Sequence, residues 1–97
     1  MIYLDNAATT KPFTSAIEKA NKFNNEEFFN PSALYKGGLS TSKEIKSAKE
    51  NLLRSIGATT DKFEVIFTSC GTESDNQAVF GAIKRGVFVT DLGEHSA

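Results

Sequence analysis

Ninety-seven residues, 39% hydrophobic, 24% charged and 10% aromatic, suffice for one small domain and not for two. Eleven Lys and Arg against twelve Asp and Glu leave a formal net charge of −1. That balance gives no electrostatic reason to expect nucleic acid or an anionic membrane as partner. No apolar run approaches the ~20 residues that span a bilayer, the first residues lack a secretory signal's basic and apolar regions, and Cys70 alone cannot build a disulfide framework. A reducing cytoplasm is the compartment these features favour.

In chain order, Ile2-Tyr3-Leu4 is a short apolar run that ends at the turn-forming pair Asp5-Asn6, a brief strand or an extended arm. A helix is expected to start near Pro12, whose fixed φ suits a first turn, with Ala16, Ile17, Ala20 and Phe23 at helical spacing. Asn30-Pro31-Ser32 forces a non-helical stretch, because the residue before proline is pushed out of the α region. Gly37-Gly38 is read as the break before a second helix that opens on a Thr41/Glu44 capping box. Ile45, Ala48, Leu52 and Ile56 form its apolar stripe, Lys43, Lys46 and Lys49 lie on other, solvated faces, and Gly57 stands at C′.

Phe63, Val65, Ile66 and Phe67 read as a strand covered on both faces. A polar turn, Ser69-Cys70-Gly71-Thr72-Glu73-Ser74, leads into a helix with Ala78, Val79, Ala82 and Ile83 on one side, ending near Lys84-Arg85-Gly86. Val87–Thr90 reads as a second buried strand. The order is β-α-β, which implies two parallel strands joined by a right-handed crossover. Two strands are too few for a doubly wound sheet, so the sequence reads as cut short after Glu94-His95-Ser96-Ala97. Poor stability of the isolated chain is expected to follow.

A turn from a strand into a helix aims several N–H groups at one spot, where the helix dipole adds positive potential and a phosphate is a favoured guest. Gly71 allows close approach and an unusual φ, and Thr72 and Ser74 offer hydroxyls. The alternative is a well-capped helix that binds nothing, since Ser74 and Gln77 also have capping-box spacing. Cys70 is either a nucleophile activated only by the helix N-terminus or a small buried thiol. His95 has the right chemistry for proton transfer near neutral pH, and a lone histidine is equally suited to a structural role. No metal site is expected.

Four stretches taken together decide between these readings. Tyr3-Leu4-Asp5-Asn6-Ala7-Ala8-Thr9-Thr10, Asn30-Pro31-Ser32 with Gly37-Gly38, Phe67–Asn76 and Glu94-His95-Ser96-Ala97 resemble, in order, blocks of the cysteine desulfurases of the NifS/IscS type, within the class-V aminotransferases. The resemblance implies an α/β fold, the N-terminal part of a fold-type I pyridoxal-phosphate-dependent transferase. About residues 1–60 would form an arm and two helices, and about 61–97 the start of the cofactor-binding domain. It implies pyridoxal 5′-phosphate as cofactor, its phosphate on Gly71 and Thr72, and His95 stacked on the pyridine ring and moving protons. Asn6, Ala7 and Thr9 become substrate-side candidates.

The same resemblance implies L-cysteine as substrate, a sulfur-acceptor protein such as an iron–sulfur scaffold as partner, and a homodimer at full length. Two departures stand out. Cys70 replaces the family's usual Gly or Ala, and Tyr35 stands where His is frequent. The lysine that carries the cofactor follows a histidine in the family, whereas His95 is followed by Ser96. That lysine and the persulfide-forming cysteine are expected further along, which makes the 97-residue chain an inactive fragment. A selenocysteine lyase shares most of these motifs, and a non-catalytic phosphate-binding or subunit-pairing module is the reading of another class.

Overall fold

Three helices carry the described part of the chain: α1 (Thr14–Asn25), α2 (Lys36–Ser55) and α3 (Gly71–Ala82). The structure, a computed structural model, describes residues 1–83. The chain divides into two units, Met1–Lys62 and Phe63–Ala97. The expected strand Val87–Thr90 and the block with His95 lie outside the described residues.

The first unit opens with an arm whose turn is closed locally. The Tyr3 hydroxyl lies 2.8 Å from the Asp5 carbonyl and 3.0 Å from that of Thr9, so its one proton is shared between them. The Ala8 N–H donates to the Asp5 carbonyl at 3.1 Å. α1 starts two residues beyond Pro12, because Phe13 is extended (φ −64°, ψ 141°) and takes the N-cap position. It ends with the Glu26 and Glu27 N–H groups on the Lys22 carbonyl, while the Lys22 ammonium bonds the Glu27 carboxylate at 2.8 Å.

The loop between α1 and α2 shows why the glycine pair is there, and corrects its reading as a break. α2 begins at Lys36, so Gly37 and Gly38 lie inside its first turn. A Cβ on Gly37 would stand 2.6 Å from the Phe29 ring, and one on Gly38 would stand 2.4 Å from the Ala33 carbonyl oxygen and 2.7 Å from that of Asn30. The glycines thus let the Asn-Pro-Ser loop lie directly on the helix. The loop is turned by Asn30, whose Oδ1 accepts the Ser32 N–H at 2.8 Å and whose carbonyl accepts the Ala33 N–H at 3.0 Å. Phe29 stacks on Phe28 and meets Tyr35, the N-cap of α2, edge-on at 6.0 Å.

The Thr41/Glu44 capping box is absent for the same reason: both residues fall mid-helix. The Thr41 hydroxyl lies 3.2 Å from the Gly37 carbonyl and 3.4 Å from the Glu27 carbonyl, tying the loop to the helix. Glu44 instead accepts the Lys19 ammonium at 2.9 Å, an ion pair that joins α1 to α2. The stripe expected on α2 is not its buried side. Ile45 and Ala48 line an open groove of about 370 Å³ toward α1, and Leu52 is 49% exposed. Leu53, 5% exposed, is the buried apolar side chain among the described residues.

The end of α2 follows the sequence. Gly57 has φ +72°, the Ala58 N–H donates to the Leu53 carbonyl at 2.8 Å, and the Gly57 N–H donates to the Arg54 carbonyl at 3.1 Å. This is the Schellman pair of bonds, which requires the left-handed residue that glycine supplies without a Cβ penalty.

In the second unit, residues 63–68 carry no strand among the described residues, so the strand expected at Phe63–Phe67 is not seen there. A strand exists only through its ladder, and the expected partner lies in the undescribed segment. α3 ends at Ala82, short of Lys84. Val79 is half-buried while Phe80 is 78% exposed.

Candidate functional site: the turn into α3

Cys70 is the N-cap of α3, extended at φ −164° and ψ 171°, and Gly71 is the first helical residue. The N–H groups of Gly71 and Thr72 therefore have no acceptor inside the helix, and the dipole's positive end lies with them. Gly71 does not have the unusual φ expected of it, since Gly57 is the positive-φ glycine of the described residues. Its use is space: a Cβ there would meet nothing within 4 Å among the described residues. A ligand atom can come down onto the backbone at that point.

The hydroxyls of the turn divide sharply. The Thr68 hydroxyl donates to the Cys70 carbonyl at 3.0 Å and pairs with the Ser74 hydroxyl. Thr68 has one proton to give, so Ser74 is the donor in that pair. The Ser69 N–H donates to a Glu73 carboxylate oxygen at 3.0 Å, and the Ser69 hydroxyl bonds the same oxygen. Ser74, expected as a ligand donor and as the opening of a capping box with Gln77, is thus engaged within the turn and sits inside the helix. Thr72 is the remaining hydroxyl, with no hydrogen bond among the described residues. The donor set left open is the Gly71 N–H with the Thr72 hydroxyl, while the Thr72 N–H also faces the Cys70 sulfur.

Electrostatics follow the same geometry. The Ser69 hydroxyl first, then its N–H, hold the Glu73 carboxyl below the usual carboxylate range. Cys70 is exposed, which corrects its reading as a small buried thiol. The Glu73 N–H first, then the Ser69 hydroxyl and the Thr72 N–H, hold its thiol below the usual range, while the Glu73 charge works in the opposite direction.

Of the residues singled out from sequence, Gly71 and Thr72 fall side by side at this helix start. Asn6, Ala7 and Thr9 belong to the first unit, in the arm turn beside Tyr3. His95 lies outside the described residues. Glu73 was not picked out, and a signal for it existed. Its spacing of four from Ser69 is one residue longer than a capping box, so the carboxylate reaches N′ instead of the N-cap.

A helix start that presents a backbone donor, a hydroxyl and an open glycine has the geometry that suits an anion. Comparison with known proteins then identifies its setting. Residues 2–97 match the aminotransferase class-V family, and the chain belongs to it. It is similar to cysteine desulfurase NifS of Azotobacter vinelandii, 38% identical over 100 residues, and to cysteine desulfurase IscS of Dictyoglomus turgidum, 40% identical over 101. A cysteine desulfurase of Nostoc sp. is 37% identical over 102 residues. These alignments cover 99%, 99% and 100% of this chain and 25% of each relative, so the chain spans about a quarter of their length. No solved structure matches it. Among the described residues, no helix is long and apolar enough to cross a membrane.

Proposed function

We propose that this chain is the N-terminal part of a pyridoxal-phosphate-dependent cysteine desulfurase, in which L-cysteine and an acceptor thiol become alanine and an acceptor persulfide. The observation that carries the reading is the coincidence of a family match over residues 2–97 with an open donor set at the matching turn. Gly71 and Thr72 would hold the cofactor phosphate through their N–H groups, with the Thr72 hydroxyl as a third donor. The donor set fits a phosphate: it is positive in potential and, among the described residues, unobstructed at Gly71. When bound, pyridoxal phosphate supplies the electron sink for bond-breaking at the substrate α-carbon.

In this reading His95 would serve the cofactor as a proton-exchanging group, and Asn6, Ala7 and Thr9 would lie on the substrate side. The first unit serves as arm and helices and the second as the start of the cofactor-binding domain, a β-α-β portion of a larger sheet. The names of the relatives support a cysteine substrate; a sulfur acceptor such as an iron–sulfur scaffold and a homodimer working in the cytoplasm complete the proposal.

The test is to incubate the whole protein carrying this sequence with pyridoxal phosphate, L-cysteine and dithiothreitol. Alanine and sulfide should appear in equal amounts, and the 97-residue chain alone should form neither. Thr72→Ala should weaken cofactor binding about tenfold, as loss of one hydrogen bond to a charged group does. Whole protein that binds the cofactor but releases no alanine from cysteine would refute the proposal.

A further inference from the structure

The anion turn is held in shape by a brace that takes no part in binding. The Glu73 carboxylate accepts both the N–H of Ser69 at 3.0 Å and the Ser69 hydroxyl, closing a ring over Cys70, Gly71 and Thr72. A second tie outside it joins Thr68 to Ser74. The brace has two consequences for a phosphate guest. It fixes the chain direction at the N-cap before any ligand arrives, with Gly71 and Thr72 inside the ring that it closes. It also parks an anionic side chain on N′, where it does not occupy the donors of N1 and N2.

An unbraced glutamate at N3 can accept hydrogen bonds from those same helix-end donors. Left free, Glu73 would be an internal competitor for the cradle. Held on Ser69, it is withdrawn from it.

We infer that Glu73, through its double hydrogen bond to Ser69, is a positioning residue for the phosphate cradle at Gly71 and Thr72. It touches neither cofactor nor substrate in this role. The inference rests on the reading of the turn as the cofactor-phosphate site, and the experiment separates the two.

The experiment measures, in the whole protein, the ratio of affinities for pyridoxal phosphate and for pyridoxal, which lacks the phosphate, by absorbance titration. Glu73→Ala should lower that ratio about fivefold, a loss of the size expected for a helix-cap contact. Ser69→Ala removes the hydroxyl half of the brace and should lower it less, while Glu73→Gln, which keeps an acceptor oxygen, should restore most of it. Circular dichroism reports whether each variant is folded, and Ser69→Ala and Glu73→Gln carry the test should Glu73→Ala not fold. A ratio in Glu73→Ala or Ser69→Ala equal to or above the wild-type value overturns the inference while leaving the cofactor site in place. A wild-type protein with no preference for the phosphate ester overturns the site reading and the inference together.

Discussion

Gly38 offers the sharpest test of how the first unit is assembled. Replacing it by alanine would place a methyl group 2.4 Å from the Ala33 carbonyl oxygen, 2.7 Å from that of Asn30 and 2.8 Å from the Ala33 Cβ. The obstruction is mainly backbone, so no side-chain rotation relieves it, and the loop must retreat by about 0.6 Å to reach even the shortest tolerated approach. Against this, alanine in a helix gains about 1 kcal/mol over glycine. Overpacking of this kind costs about 1–3 kcal/mol, and the two carbonyls put Gly38 at the upper end, for a net loss of roughly 1–2 kcal/mol. Gly81 is the control: it is also helical, and a Cβ there meets nothing within 4 Å among the described residues.

In denaturant titrations of the whole protein, Gly81→Ala should therefore stabilise and Gly38→Ala destabilise. Gly37→Ala should fall between them, because its obstruction is the Phe29 ring, which can turn aside. Hydrogen exchange locates the effect. The Ser32 and Ala33 amides, bonded to Asn30 at 2.8 and 3.0 Å, should lose protection in Gly38→Ala and keep it in Gly81→Ala. Equal stabilisation by the two alanines, with loop protection intact, would refute the account of the glycine pair.

Three further outcomes follow from single groups. Gly57→Ala, at φ +72°, should cost about 1 kcal/mol in a thermal or denaturant melt, with Gly57→Asn costing less. Cys70 should alkylate with iodoacetamide at lower pH than a free cysteine peptide, because its folded pKa is depressed; Ser69→Ala, which removes one stabilising donor, should shift the rate profile upward in pH. Lys19 holds the Glu44 carboxyl below its ordinary range, so the pair's contribution is present above the unfolded carboxylate pKa and fades as pH falls through the folded one. Lys19→Met should return the Glu44 titration to the ordinary range in an NMR pH series, and salt should weaken the pair because both partners are exposed.

The parts of this structure that were legible in the sequence are those set by neighbours along the chain. The C-terminus of α2 needs only Gly57 and the two carbonyls behind it, so local chemistry suffices to place it. The same holds for Gly71 and Thr72 at the start of α3, where a small-residue turn before an apolar helix is its own signal. Gly37-Gly38 was misread because glycine has two uses. The pair looks like a helix break when only local propensity is weighed, yet here it admits the Ala33 and Asn30 backbone from another segment, a requirement written in the loop and not in the helix. Once the helix begins at Lys36, the Thr41/Glu44 box has no terminus to cap, and Glu44 is free to reach Lys19.

Burial and pairing were legible only in part, since both depend on what lies opposite. The stripe Ile45, Ala48, Leu52, Ile56 has the correct period for an apolar face, but periodicity identifies a face without saying what covers it. Leu53, one position off the stripe, is the side chain that finds cover. Phe63–Phe67 has strand composition and lacks a described partner, so the sheet stays an inference from the family and not from the chain's own hydrogen bonds. The turn into α3 differs from both cases. Its donors, its free hydroxyl and its brace all come from seven consecutive residues, Thr68 to Ser74, and are complete without any distant segment. A site of that kind can hold its shape in a short sequence that leaves most of its apolar surface exposed, which is why the proposed phosphate site is where the physical and the family arguments converge.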